Sequence, residues 1–246
     1  MVRVWIDTDV GDNPDDAIAL LVAAAHPGVE LVGVSTVRGD VVQRAQLAGD
    51  LLAAAGASVP LIYAGPPDPR ALATAEAVLA IGPLTNIAAL LSAGHELPPT
   101  ALMGGVFEPT AHRGATRECE TNFESDRFAA GFVIAKAVDL LVVPLDVTAA
   151  MVLDATQVER LMTLTALHES LGSWTSTGQD LCLHDPLALL ALLGEHVQVA
   201  RRSIGVTVDG RTVVDDRDGT QHDVVVQADH AAAKRRTVDL AMTWGD

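Results

Sequence analysis

The chain has 246 residues, 49% of them apolar, and carries 16 basic against 32 acidic side chains for a formal net charge of −16. Aromatics make up only 3%, too few for a surface that stacks bases, and the negative charge repels phosphate backbones and anionic membranes, so neither nucleic acid nor a membrane is an expected partner. Two cysteines, Cys119 and Cys182, do not make a disulfide framework. With no basic leader and no membrane-length apolar run, the expected setting is soluble and cytoplasmic.

The first half alternates β-branched runs with Ala/Leu-rich helical patterns. Residues 2–6 (VRVWI) read as a strand and 16–25 as a helix, ended by His26-Pro27-Gly28. A buried strand over 29–37, a helix from 41 to about 55 and a strand over 60–64 follow. Further strands are expected over 77–81 and 101–106, with a helix over 85–92 between them; a helix over 128–135 precedes a strand over 138–145. Strands that are apolar throughout and alternate with helices indicate a sheet buried on both faces. The later part differs: helices over 156–172 and 185–194, antiparallel strands over 197–226 around Asp209-Gly210 and Asp218-Gly219, and a last helix from Asp229, its cap, to about 242. The fold class expected is α/β, a doubly wound, mostly parallel open sheet with helices on both faces and a small antiparallel addition near the C-terminus. No repeat or low-complexity linker interrupts it, and the best loop is 65–70 (GPPDPR), so one domain spanning 1–246 is expected.

The densest chemical signal is DTDVGDNPDD, residues 7–16, with five aspartates in ten positions between a strand and a helix. Such carboxylates repel one another unless protons or a cation neutralise them. Without nearby cysteine, the cation they suit is a hard one, Ca²⁺ or Mg²⁺. A solvated acidic turn with a helix cap is the plainer alternative, but it fits poorly where the aspartates end a buried strand. An EF-hand loop is excluded, since its sixth and twelfth positions would be Asp12 and Ile18 rather than Gly and Glu. A haloacid-dehalogenase-type phosphatase also begins D-x-D, but Gly11 stands where it usually has Thr or Val and no phosphate-binding lysine follows.

DTDVGDNPDDAIAL resembles the opening signature of the inosine–uridine-preferring nucleoside hydrolases, with two extra residues before the paired aspartates. Further segments occur in that family's order: IGPLTNIA at 81–88, MGG at 103–105, ETNF at 120–123, PLDVT at 144–148 and HDP at 184–186. The resemblance spans roughly residues 2–190. It implies Ca²⁺-dependent hydrolysis of the N-glycosidic bond of a ribonucleoside or related N-riboside, giving ribose and free base. It further implies calcium ligands at Asp9, Asp16, the Thr85 carbonyl and Asp185, and Asp9 as the base that takes a proton from water on the metal. Asp15 would accept from the ribose 2-hydroxyl, Glu120 and Asn122 would hold the 5-hydroxyl end, and Asp7 would support the loop. His184 is the expected proton donor to the leaving base, with a packed histidine as the alternative reading. A homodimer or homotetramer is the family's usual assembly.

Three departures stand out. Val37-Arg38-Gly39-Asp40 replaces the family's Gly-Asn, which puts Asp40 near the ribose in place of an amide. Arg113-Gly114 stands where a second Gly-Asn precedes the E-x-N motif. Only the twelve residues 66–77 occupy the place of a long insertion, and the stretch between Thr148 and His184 is also abbreviated. Both regions normally close over the base. A riboside-binding or structural relative with altered catalysis is therefore the alternative to an active enzyme.

Overall fold

The computed structural model describes residues 1–245. In chain order they form β1 (Val2–Thr8), α1 (Pro14–Ala25), β2 (Val29–Thr36), α2 (Val41–Ala54), β3 (Leu61–Ala64), α3 (Pro69–Leu72), β4 (Ala77–Ala80), α4 (Thr85–Ser92) and β5 (Thr100–Met103). Then come β6 (Thr110–His112), β7 (Ala115–Arg117), α5 (Thr121–Ser125), α6 (Arg127–Lys136), β8 (Leu140–Val143), α7 (Leu145–Thr148), α8 (Ala155–Met162) and α9 (His168–Thr175). The chain closes with α10 (His184–Leu192), β9 (Val197–Val206), β10 (Thr212–Val214), β11 (Thr220–Ala228) and α11 (His230–Ala241).

Nine strands form one sheet in the order β10-β9-β11-β8-β5-β4-β1-β2-β3. From β3 to β11 neighbouring strands are parallel, and β9 and β10 add antiparallel to β11. The antiparallel addition is thus continuous with the main sheet, because β11 pairs in parallel with β8 through Asp223 and Val224. Successive residues of a strand face opposite sides, and the core divides accordingly. Val4 and Ile6 of β1 and Leu79 of β4 pack with α1, α10 and α11, whereas Trp5, Val78 and Ala80 pack with Leu84, Ile87 and Leu90 around α4 and with Val133 and Ile134 of α6. Trp5 needs bare backbone beside it: a Cβ on Gly33 would sit 2.1 Å from its ring.

Several expectations shift. The helix expected over 156–172 is two, α8 and α9, separated by a short 3₁₀ turn at Thr165–Leu167. The 65–70 loop contains the start of α3, with Pro69 in its first turn and Asp68 accepting from the Arg70 N–H as cap. The strand expected over 101–106 ends at Met103, since Gly105 turns the chain with φ +83° and a Cβ on Gly104 would lie 2.4 Å from Phe123. The β6–β7 hairpin was not expected at all. No described helix is long and apolar enough to cross a membrane.

Candidate active site

In the sheet order, β2 and β3 lie on one side of β1, and β4, β5 and β8 on the other. Ligands of open α/β sheets bind beyond the carboxyl ends of the strands where the order reverses, and the aspartate segment leaves β1 there. The adjoining end of β4 leads into Ile81-Gly82. A Cβ on Gly82 would lie 2.7 Å from Val37 and 3.0 Å from the Asp9 backbone N, so this glycine lets the two strand ends close together.

Helix α1 starts at Pro14, two residues earlier than the apolar pattern suggests, which places Asp15 and Asp16 in its first turn. Asp185 occupies the first turn of α10, which packs beside α1. Two helix N-termini, each with free N–H groups and a partial positive charge, therefore converge behind three buried carboxylates. One oxygen from each of Asp15, Asp16 and Asp185 lies within 4.8 Å of the others. Burial first, then mutual repulsion, pushes Asp16 and Asp185 well above the usual carboxylate range. Asp15 rises to about 6, chiefly from burial. Among the described residues no lysine or arginine forms an ion pair with any of the three. The Thr8 hydroxyl, donating to Asp16, is a small offset. Three buried oxygen donors without sulfur, short of positive charge, fit a hard divalent cation.

Asp9 lines the same cleft but is held differently. Arg38 Nη1 donates to its Oδ2 at 3.1 Å and to Asp12 at 3.0 Å. Arg44 donates to the carbonyls of Asp9 and Val10 and pairs with Asp12 at 3.0 Å. Burial raises the Asp9 carboxyl, and Arg38 opposes it. Behind it, Asp7 accepts from Ser35 at 2.5 Å and Asn86 at 2.8 Å, while its Oδ2 is buried without a partner and burial pushes the group up to about 7. Asn86 is thus no helix cap: its amide goes to Asp7 and to the Thr36 carbonyl.

At the other end of the cleft Glu120 caps α5, accepting from the N–H groups of Asn122 (2.8 Å), Phe123 (3.1 Å) and Gly105 (3.4 Å). Complete burial still pushes it up to about 7. The Asn122 amide donates to the carbonyls of Ile81 at 3.2 Å and Met103 at 3.0 Å, tying the ends of β4 and β5 together. His184 is buried, with Nδ1 2.8 Å from the Thr148 hydroxyl and its ring edge-on to His112 at 4.8 Å. Burial, with His112 and Arg113 nearby, lowers it to about 3. It is neutral at physiological pH, which does not suit a proton donor.

Two expected residues lie elsewhere. Thr85 is exposed, and its hydroxyl donates to Asp126 at 2.6 Å; the residue of that segment at the cleft is Ile81. Asp40 caps α2 through the Gln43 N–H at 3.0 Å and does not line the cleft. Arg38 lines it instead, because Arg38 and Gly39 both take left-handed φ (69° and 63°) and turn the chain between β2 and α2. His112, Arg113 and Arg117, from the hairpin, also reach the cleft. Their one sequence signal was Arg113-Gly114 in an asparagine's place. The cleft encloses about 170 Å³, below the roughly 300 Å³ at which drug-sized ligand pockets begin. It is closer to a sugar than to a whole nucleoside.

The fold and cleft define an α/β protein with a buried carboxylate cluster at its switch point whose chemistry suits a hard cation. The chain belongs to the inosine-uridine preferring nucleoside hydrolase family, whose model matches residues 4–79 and 70–235, and its class is that of a hydrolase acting on ribosides. The two matches overlap over residues 70–79, in and just after the short segment 66–77. Among curated relatives, the non-specific ribonucleoside hydrolase RihC of Escherichia coli O1:K1 / APEC is 31% identical over 273 residues, covering 86% of this chain and 88% of that protein. That alignment is longer than the whole of this chain, so the relative carries stretches with no counterpart here. A probable uridine nucleosidase 2 of rice (Oryza sativa subsp. japonica) is 29% identical over 196 residues, 59% of this chain and 57% of that protein, so the chain spans less than two thirds of it. The structure of a purine-preferring ribonucleoside hydrolase from Gardnerella vaginalis superposes with a TM-score of 0.83 at 20% identity over 98% of each chain. That likeness supports the fold.

Proposed function

We propose that this protein hydrolyses the N-glycosidic bond of a ribonucleoside or related N-riboside with the help of Ca²⁺. The observation that carries the reading is the set of buried carboxylates, Asp9, Asp15, Asp16 and Asp185, gathered at the switch point without enough protein cations to balance them. Asp9, Asp16 and Asp185 would hold the ion, with Asp15 beside them. Calcium's six to eight oxygen ligands leave room for a backbone carbonyl, which Ile81, lining the cleft, would give. When bound, calcium supplies the charge that acidifies water and orients vicinal hydroxyls.

Asp9 is the base. Arg38 favours its ionised form, so it can take the proton that water loses as it attacks C1′. Bond cleavage leaves positive charge on the sugar ring, and the surrounding carboxylates stabilise it more than the neutral ground state. Asp15 accepts from the 2-hydroxyl, and Glu120 receives the 5-hydroxyl end. Asn122 sets the strand ends between which the sugar lies. His184, neutral and bonded to Thr148, shapes the wall of the site. A cytoplasmic setting and a homodimer or homotetramer go with this reading.

The test is release of reducing sugar from a panel of nucleosides, with and without a calcium chelator. Turnover that stops on chelation and returns with added Ca²⁺ is expected. Turnover indifferent to chelation, or none from any riboside, overturns the reading; binding without turnover would favour the riboside-binding alternative.

A further inference from the structure

The hairpin residues His112 and Ala115 face each other across β6 and β7, so Arg113 and Gly114 alone make the turn. Both have positive φ, 48° and 76°, the pattern of a type I′ turn, which favours Asn-Gly or Asp-Gly because a side chain strains the first position. An arginine there is costly for the turn itself. It does not serve an internal ion pair either. Of the three arginines lining the cleft, Arg38 is bound to Asp9 and Asp12, and Arg117 to Glu124 at 2.8 Å. Arg113 has no carboxylate within salt-bridge distance among the described residues. Among the three cleft arginines it alone has its charge unpaired.

Its position is nonetheless fixed. The Arg113 guanidinium stacks on the Trp174 ring of α9 at 4.6 Å, and Trp174 is 9% exposed. A planar guanidinium held over an indole keeps its N–H edge free for another ligand. The neighbouring His112 packs edge-on against His184 at 4.8 Å, which puts the hairpin tip on the His184 side of the cleft, whereas Glu120 is fixed by the N–H groups of Asn122, Phe123 and Gly105. If Glu120 marks the 5-hydroxyl end of the sugar, Arg113 stands toward the other end, where the base departs.

We infer that Arg113 is a catalytic and specificity-determining residue that receives the leaving base, favouring bases that present carbonyl oxygens over adenine, which has none. The inference rests on the riboside-hydrolase reading. As the C1′–N bond breaks, its electron pair leaves with the base nitrogen and spreads onto the ring carbonyls, which accept from the guanidinium. Water oxygen forms the new bond to C1′, Asp9 takes the proton, and the base anion is reprotonated from solvent. Arginine need not give up its own proton. The shortened cover over the base leaves this one cation, carried by a hairpin and braced by Trp174, to do the recognising.

The test compares wild type with Arg113→Gln and Arg113→Lys on inosine and uridine, on adenosine, and on nitrophenyl riboside, whose leaving group needs little help. Removing a pre-aimed donor costs about 10²–10³ in kcat. Arg113→Gln should lose that much on inosine and uridine, much less on adenosine, whose base has no carbonyl, and less than fivefold on nitrophenyl riboside; Arg113→Lys should recover only part. Equal losses on all substrates, or none on the oxo bases, overturn the assignment. Calorimetry of hypoxanthine, uracil and adenine binding to the calcium-loaded protein and to Arg113→Gln is the second measurement. Selective loss of oxo-base affinity supports the role even if the wild type turns over no riboside, an outcome that would overturn the reaction instead. Unchanged base affinities in that case overturn the role as well.

Discussion

Calcium titrations of the metal-free protein at pH 8 and pH 5.5 should give very different affinities, and the size of the difference follows from the carboxylate cluster. Asp15, raised to about 6, is ionised at pH 8 but holds a proton in about three molecules of four at pH 5.5. Displacing it costs calcium about fourfold in affinity. Asp16 and Asp185 lie well above the usual range, and each adds up to tenfold for every pH unit below its own value. The dissociation constant should therefore rise at least about fourfold, and further through Asp16 and Asp185. At a concentration 100 times the pH 8 dissociation constant, calcium stabilises the fold by about 2.7 kcal/mol, about 5–10 °C in Tm for a chain this long. The same concentration at pH 5.5 gives about 1.9 kcal/mol or less. Raised carboxyls cost stability when ionised, so on their account the metal-free fold gains as pH falls through their folded values. His184 and His222, both lowered by burial, act oppositely, because the unfolded chain protonates them below about 6.5. Comparing samples with and without calcium at each pH removes most of the histidine contribution. Calorimetry in two buffers of different ionisation enthalpy should detect protons released on calcium binding at pH 5.5. Equal affinities at the two pH values, or no proton release, would refute the cluster as the cation site.

Asp9→Asn should abolish turnover while leaving the thermal midpoint within a few degrees, measured by sugar release and calorimetry; near-normal rates would remove Asp9 as base. His184→Ala should slow nucleosides and nitrophenyl riboside by similar factors, and a loss confined to nucleosides would restore it as proton donor. Asn86→Ala removes the amide that serves Asp7 and the Thr36 carbonyl, and should cost about 2–3 kcal/mol, read as a fall of about 4–10 °C in Tm. Gly82→Ala pushes a methyl against Asp9 and Val37; kcat should fall at least tenfold while the fold persists, and unchanged kcat would show that the strand ends can separate freely.

The parallel sheet was legible because its strands are short, apolar and separated by amphipathic helices, and the aspartate segment because so many carboxylates at a buried strand end have few other uses. Side-chain chemistry was easier to place than backbone chemistry. Asp15, Asp16 and Asp185 meet, but the residue of the 81–88 segment that lines the cleft is Ile81, and no side chain announces which part of a strand end turns inward. Asp40 misled for a local reason: an aspartate just before a helix serves the nearest free N–H, here that of Gln43, before any distant ligand. The β6–β7 hairpin escaped notice because three-residue strands carry no readable alternation and its turn lacks the usual Asn-Gly. The helix expected over 156–172 failed where Leu164 and the 3₁₀ turn after it redirect the chain.

The hairpin hangs from a single carboxylate. Asp146 accepts from the N–H groups of Phe107 (2.8 Å) and Glu108 (3.1 Å) and from the Thr110 hydroxyl (3.0 Å), and the two strands pair only with each other. None of their backbone bonds belongs to the nine-stranded sheet. The part of the molecule we assign to the base is therefore hung on the scaffold rather than woven into it. Its tip can be rewritten by evolution or by an engineer, residue by residue, with the aspartate cluster and the core left as they are.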